Sequence, residues 1–238
     1  MSHAADTIVL VTSNAQRRDI TRDRIMKAAA DLLRDHGPAA VTTRRVAQEA
    51  GLQPPAIYRF FQDKDDLLDA VAEHVFTEHV ERKQTTAPTD DPVEDLRAGW
   101  NTQIGFGLAN PHVFGLLLGP ARARTTPAQA KGVLILAERV RRIAAAGRLR
   151  VSEERAVNLI HSAGIGTVHT LLTLPPGRSD PHLSDAAFDA VARAILTDEP
   201  AVPTKDPAAV VAAFRSLLPE LPTLSKAEAA LLDEWLQR

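Results

Sequence analysis

An all-α protein is what the sequence predicts, and three observations carry that reading. Apolar residues recur at helical spacing through most of the chain, and alternating β-branched runs are scarce. Pro and Gly fall mostly between the periodic segments, where they act as stops. With 238 residues, 45% of them hydrophobic and 24% charged, the chain can bury one large core or two modest ones. The expected organisation is a tail over 1–16, a three-helix helix-turn-helix unit over 17–64, and a helical body over 65–238.

The first predicted helix is Thr21–Gly37. Thr21 suits the cap, Asp23 suits the first turn, and Ile25, Ala28, Ala29, Leu32 and Leu33 share one face. Gly37 and Pro38 end it. Val41–Gly51 follows, with Thr42 as cap, Val46, Ala47 and Ala50 inward, and Gly51 supplying a tight turn before Leu52. Pro54–Phe60 opens on two prolines, which suit a helix start. Ile57 and Phe61 are spaced to face a core, so Tyr58, Arg59 and Phe60 point partly elsewhere. This is the layout of a helix-turn-helix unit. A long helix from Asp63 to about Lys83, with Leu67, Leu68, Val71, Val75 and Val80 inward, joins the unit to the body.

The body is predicted as Pro92–Ala109, Pro111–Leu118, Pro127–Ala146, Ser152–Leu174, Ser184–Thr197, Asp206–Leu218 and Ser225–Gln237. Linkers are expected at Gln84–Asp91, Ala121–Thr126, Pro175–Pro181 and Glu199–Asp206. Ser152, followed by Glu153 and Glu154, reads as a capped, acidic helix start.

Composition excludes several functions. The absence of cysteine rules out disulfides, Cys-ligated metals and a thiol nucleophile. No Gly-x-Ser-x-Gly, phosphate loop or His-Glu-x-x-His is present, so a helical enzyme is the remote reading. His161 and His169 lie eight apart, beyond metal-pair spacing, and no metal or cofactor is expected. No apolar run approaches the ~20 residues of a membrane span. The first residues lack the charged leader of a secretory signal, so the expectation is a cytoplasmic protein without a membrane partner. The net charge of −2 hides an asymmetry: residues 1–64 carry net +3 and residues 65–238 net −5. A basic head on an acidic body fits a nucleic-acid-facing module.

The run Thr42–Leu68, TTRRVAQEAGLQPPAIYRFFQDKDDLL, resembles the DNA-binding region of the tetracycline-repressor (TetR) family. The matching features are the Thr-x-Arg opening, Val-Ala before a turn glycine, Ile-Tyr, Phe61 after it, and Lys64-x-x-Leu-Leu. The resemblance covers roughly Ile20–Phe76. It implies a homodimer that binds double-stranded, palindromic operator DNA and answers to a small-molecule effector, as a repressor or, alternatively, an activator.

Pro54–Phe60 would then lie in the major groove. Arg44 can reach a phosphate or pair with guanine, and Thr43 at a helix start can bind phosphate. The resemblance places Tyr58 and Lys64 on the DNA backbone. Arg59, Ala56 and Pro55 are the candidates for base edges, with Arg59 the guanine reader. Phe60 either meets a thymine methyl or packs inward. Tyr58 also fits a half-buried core aromatic, and one of Arg44 and Arg45 is expected to be surface charge alone. Gln53 departs from the family, where Ser commonly caps the reading helix; Gln is a poor cap.

In the body, Ser152–Leu174 is apolar and contains Ala163, Gly164 and Gly166, which let helices approach closely. With Ser184–Thr197 it is expected to form a four-helix dimer interface, ordinary intramolecular packing being the alternative. Trp100, Gln103, Phe106, His112, Phe114, Leu117, His161 and Thr167 mix apolar walls with polar handles and are the candidate effector contacts; plain core packing is the alternative for each.

Overall fold

A computed structural model of the chain describes residues 3–84, 87–119, 126–175, 177–178, 180–197, 211, 214, 218 and 221–236. Its helices are α1 His3–His36, α2 Thr43–Glu49, a 3-10 helix Pro54–Arg59, α3 Lys64–Gln84 and α4 Pro92–Ala109, then α5 Pro111–Leu117, α6 Pro127–Ala145, α7 Glu153–Thr173, α8 Leu183–Ile195 and α9 Lys226–Leu236. Among the described residues there is no strand. A single antiparallel bridge pairs Leu149 with Leu196 and fastens the turn after α6 to the end of α8. No helix among the described residues is long and apolar enough to cross a membrane.

Three expectations change. First, the residues read as a tail are helical from His3, and Thr21 lies inside α1. Its hydroxyl donates to the Arg17 carbonyl at 2.8 Å instead of capping. No Gly or Pro precedes Gly37, so nothing local interrupts α1. Second, Pro54–Arg59 is a 3-10 helix, not an α-turn. Two prolines lack N–H donors there; Ala56 N–H bonds Gln53 and Phe60 N–H bonds Ile57 in the i to i+3 pattern, and Phe61 N–H also reaches Ile57 at 3.1 Å. Third, Gly164 faces Trp100 of its own chain, a virtual Cβ lying 3.6 Å from the indole, so this glycine serves internal packing. The predicted helix Asp206–Leu218 lies outside the described residues apart from isolated positions.

Other local signals act as their chemistry demands. Thr42 accepts from Arg45 N–H at 3.2 Å, Asp91 from Val93 N–H at 2.8 Å, and Ser152 from Arg155 N–H at 3.3 Å. Thr126 and Gln129 form a reciprocal capping box at the start of α6. Gly37 and Gly51 take φ of 75° and 64°, the left-handed conformation that ends α1 and turns the chain after α2.

One core starts in the head with Ile25, Leu33, Val46, Ile57 and Phe61. It continues along α3 through Val71 and Phe76 to Val80, and across to Phe106, Val113 and Leu117. The head therefore shares apolar packing with the body. A second core, built around Leu96, Trp100, Ile143, Ile160 and Phe188, holds α4, α6, α7 and α8 together.

Helices α4 and α7 meet at Gly107. A Cβ there would lie 2.5 Å from Val168 Cγ1 and 2.9 Å from Cγ2. Val168 is fully buried and branched, so it cannot swing aside. The overpacking cost of about 1–3 kcal/mol outweighs the ~1 kcal/mol of helix propensity that Ala brings. Gly107→Ala is expected to lower the urea midpoint, and a raised midpoint would show that the two helices separate freely.

Candidate nucleic-acid interface and body cavity

The candidate reading surface is built from α2, the 3-10 helix and the start of α3. Thr42 caps α2 and so sets Thr43 and Arg44 in its first turn. Arg24 of α1 donates to the Ala50 carbonyl at 2.5 Å, tying the end of α2 to α1. After Gly51 the Leu52 N–H returns to Ala47 at 2.8 Å, and the chain enters the 3-10 helix. Ile57 is its one buried residue.

Tyr58 is 60% exposed, which removes the core-aromatic alternative. Its hydroxyl lies 3.4 Å from that of Thr43, so two residues fifteen apart present their oxygens together. Arg44, Arg45, Pro55 and Arg59 are exposed, and Ala56 is half-buried. Phe60 turns partly inward against the core with the Arg18 guanidinium 5.8 Å over its ring. Its ring is half-buried. Lys64 is half-buried at the first position of α3. Beside it Asp63 accepts from Asp66 N–H at 2.8 Å, while Asp66 accepts from Gln62 N–H at 2.9 Å. Gln53 makes no capping bond.

Arg18 and Arg22, which stack over Phe60 and Phe61, had no place in the sequence reading. The register of Arg18 becomes readable only once α1 extends upstream of Thr21.

The body contains a cavity of about 250 Å³ among α3, α4, α6 and α7, with α5 closing one end. Trp100, Gln103, Phe114, Leu117 and His161 line it, whereas Phe106, His112 and Thr167 do not. Phe106 instead stacks on His79, ring centroids 4.1 Å apart, and is 5.5 Å from Phe76. His112 is exposed, and its ring approaches Gly37 at the end of α1, 3.1 Å from the position of a virtual Cβ. Thr167 is buried in α7. Their helical periodicity was right, but the face each presents is set by packing between helices.

Sequence reasoning missed the cavity's two strongest charges, Lys83 and Arg139. Lys83 Nζ donates to Gln103 Oε1 at 2.6 Å, and the same oxygen faces His79 Nε2 at 3.4 Å. Burial, with the charge of Arg139 added, draws Lys83 down to about 8. Burial, with the charge of Lys83 added, draws His79 down to about 4. Arg139 lies in a notch over Gly99, where a virtual Cβ would fall 1.5 Å from its Nη1. Nearby, Asp95 pairs with Arg142 and accepts from Thr89. No local motif marks Lys83 or Arg139; only the packing of three helices brings them together.

Residues 25–71 match the family model of bacterial regulatory proteins of the tetR family. Residues 25–71 are thus a domain of the tetR-family type. It is 39% identical over 72 residues to the class C tetracycline repressor protein of Escherichia coli, a match covering 30% of this chain and 32% of that protein. The chain spans about a third of the length of the curated relatives it matches. Likeness over a greater length is structural. SmeT, the repressor of the Stenotrophomonas maltophilia multidrug efflux pump SmeDEF, is 27% identical with a TM-score of 0.53, over 78% of this chain and 95% of SmeT. FadR of Bacillus subtilis, solved in complex with stearoyl-CoA, is 17% identical with a TM-score of 0.55, over 72% of this chain and 97% of FadR. At that identity the likeness to FadR shows the fold alone.

Proposed function

We propose that this chain is a ligand-responsive, DNA-binding transcriptional repressor that acts in the cytoplasm as a homodimer on a palindromic operator. Residues 17–64 read the DNA, and residues 65–238 carry the effector cavity and the dimer seam. The observation that carries the reading is the exposed surface joining Thr43, Arg44, Tyr58 and Arg59, held over a core that continues into the body. Names and descriptions of similar proteins agree with it: two are repressors, and FadR holds stearoyl-CoA.

In this reading Thr43, Arg44, Tyr58 and Lys64 hold the phosphate backbone and set the register, while Arg59, Pro55 and Ala56 meet base edges. A dimer seam on α7 and α8 agrees with Leu159 and Leu172, each 37% exposed on α7, and with open space over Gly166. Helix α5 offers a physical route between cavity and head. Phe114 and Leu117 wall the cavity, while His112 on the same helix abuts Gly37 of α1. An effector that favours a different seat for α5 shifts the head, and operator DNA must weaken effector binding by the same factor.

The test is fluorescence anisotropy with DNA from upstream of the chain's own gene, over a range of salt. Affinity is expected to fall steeply as salt rises. Lys64→Ala should weaken binding to all sequences and lower the salt slope by about 1. Arg59→Ala should cost about 1–3 kcal/mol at one base position and relax selectivity there. Unchanged selectivity in Arg59→Ala overturns the reading-face assignment, and no binding to any DNA overturns the function.

A further inference from the structure

We infer that the effector is a small amphiphile with one carboxylate head on an apolar body, and that Lys83 and Arg139 hold the head. The inference rests on reading the body cavity as the effector site. The cavity measures about 250 Å³. An apolar cavity of ~150 Å³ accepts benzene, so this one suits a ligand of roughly ten non-hydrogen atoms. Trp100, Phe114, Leu136 and Ile160 give it apolar walls.

The charge on those walls is one-sided. Lys83 from α3 and Arg139 from α6 both line the cavity, and among the described residues lining it there is no Asp or Glu. Buried cations ordinarily sit beside carboxylates, because desolvating an unpaired charge is costly. Here the hydrogen-bond partner of Lys83 is the neutral Gln103. Arg139 makes no ion pair within 4 Å among the described residues; Asp95 attracts it from a distance but is hydrogen-bonded to Arg142 and Thr89. The two cations also oppose each other, the charge of Arg139 helping to lower Lys83. Gly99 makes room for the guanidinium at the cavity wall. Two half-buried, mutually repelling cations beside an apolar void gain a common partner when one anion enters with its apolar part against the far wall. A carboxylate also accepts from the planar guanidinium in two parallel bonds.

Calorimetric titration of the full chain at pH 7 tests this with octanoate and 4-phenylbutyrate, each against its neutral amide, and with acetate as a head without a body. Both carboxylates are compared because the head, not the body, is the inferred feature. At least one is expected to bind tenfold or more tighter than its amide, with acetate far weaker. Lys83→Met and Arg139→Met should each abolish that preference and leave amide binding in place. Amides binding as tightly as carboxylates, a preference that survives both substitutions, acetate matching the larger acids, or no binding by any probe overturns the inference. The comparison in the unmodified chain stands even if a variant fails to fold. Repeating the titrations with DNA bound separates the two readings. Carboxylates that bind without weakening DNA uphold the head assignment and refute the effector role in repression. Release of DNA by the neutral amides alone refutes the head assignment and upholds the repressor.

Discussion

Replacing Ile57 by Ala is expected to lower the unfolding free energy by about 2–5 kcal/mol and to remove DNA binding with it. The 3-10 helix that carries Tyr58 and Arg59 has six residues, no side-chain cap, and two prolines at its start. A helix this short has no stability of its own in water. What holds it is Ile57, wholly buried in the core to which α1, α2 and α3 also contribute, with Phe61 following. Truncation to Ala loses the transfer free energy of the removed groups and leaves a cavity in a core shared with the body. Tyr58→Ala is the control. Tyr58 is largely exposed, so its loss should change stability by no more than about 0.5 kcal/mol while still weakening DNA binding. Urea melts and anisotropy on the two variants check both statements. A loss below about 1 kcal/mol for Ile57→Ala, against the range expected for a buried Ile, would show that the segment is held by something else.

Acid should destabilise the protein between about pH 6.5 and pH 4 through His79 above all, with His161, also lowered by burial, acting in the same direction. The His79 side chain is 5% exposed, stacked on Phe106, and near the ammonium of Lys83. Burial first, and that charge second, draw it from its ordinary 6.5 to about 4 in the folded chain. The unfolded chain therefore binds more protons than the folded one across this window. Stability is fully present above pH 6.5 and falls as pH drops, by up to about 1.4 kcal/mol per unit, or roughly 2–3 kcal/mol in all. His79→Gln removes the titration and keeps a polar partner for Gln103. Thermal melts from pH 7 to pH 4 should show a clearly flatter loss in His79→Gln. The same acid slope in both proteins would place the acid sensitivity elsewhere.

The helix plan was readable because its signals are local. Thr42 and Ser152 lie three residues before the N–H groups they satisfy, and Gly37 and Gly51 act on their own backbone. The spacing of Ile57 and Phe61 marks an inward face without knowledge of what that face meets. Thr21 misled for the same reason. Followed by Asp23, it has the composition of a helix start, but a cap needs non-helical backbone before it, and α1 supplies helix there.

The sequence by itself determined an all-α chain, the helix-turn-helix unit, and its glycine and proline stops. Each follows from interactions within a few residues along the chain. Only the tertiary structure decided that the hydroxyls of Thr43 and Tyr58 meet, that Phe106, His112 and Thr167 lie off the cavity, and that Lys83 and Arg139 share it. Lys83, Gly99 and Arg139 stand on three different helices. Helical periodicity states which residues share a face; which face meets which is set by packing between helices, and charge on a cavity wall is a property of that packing.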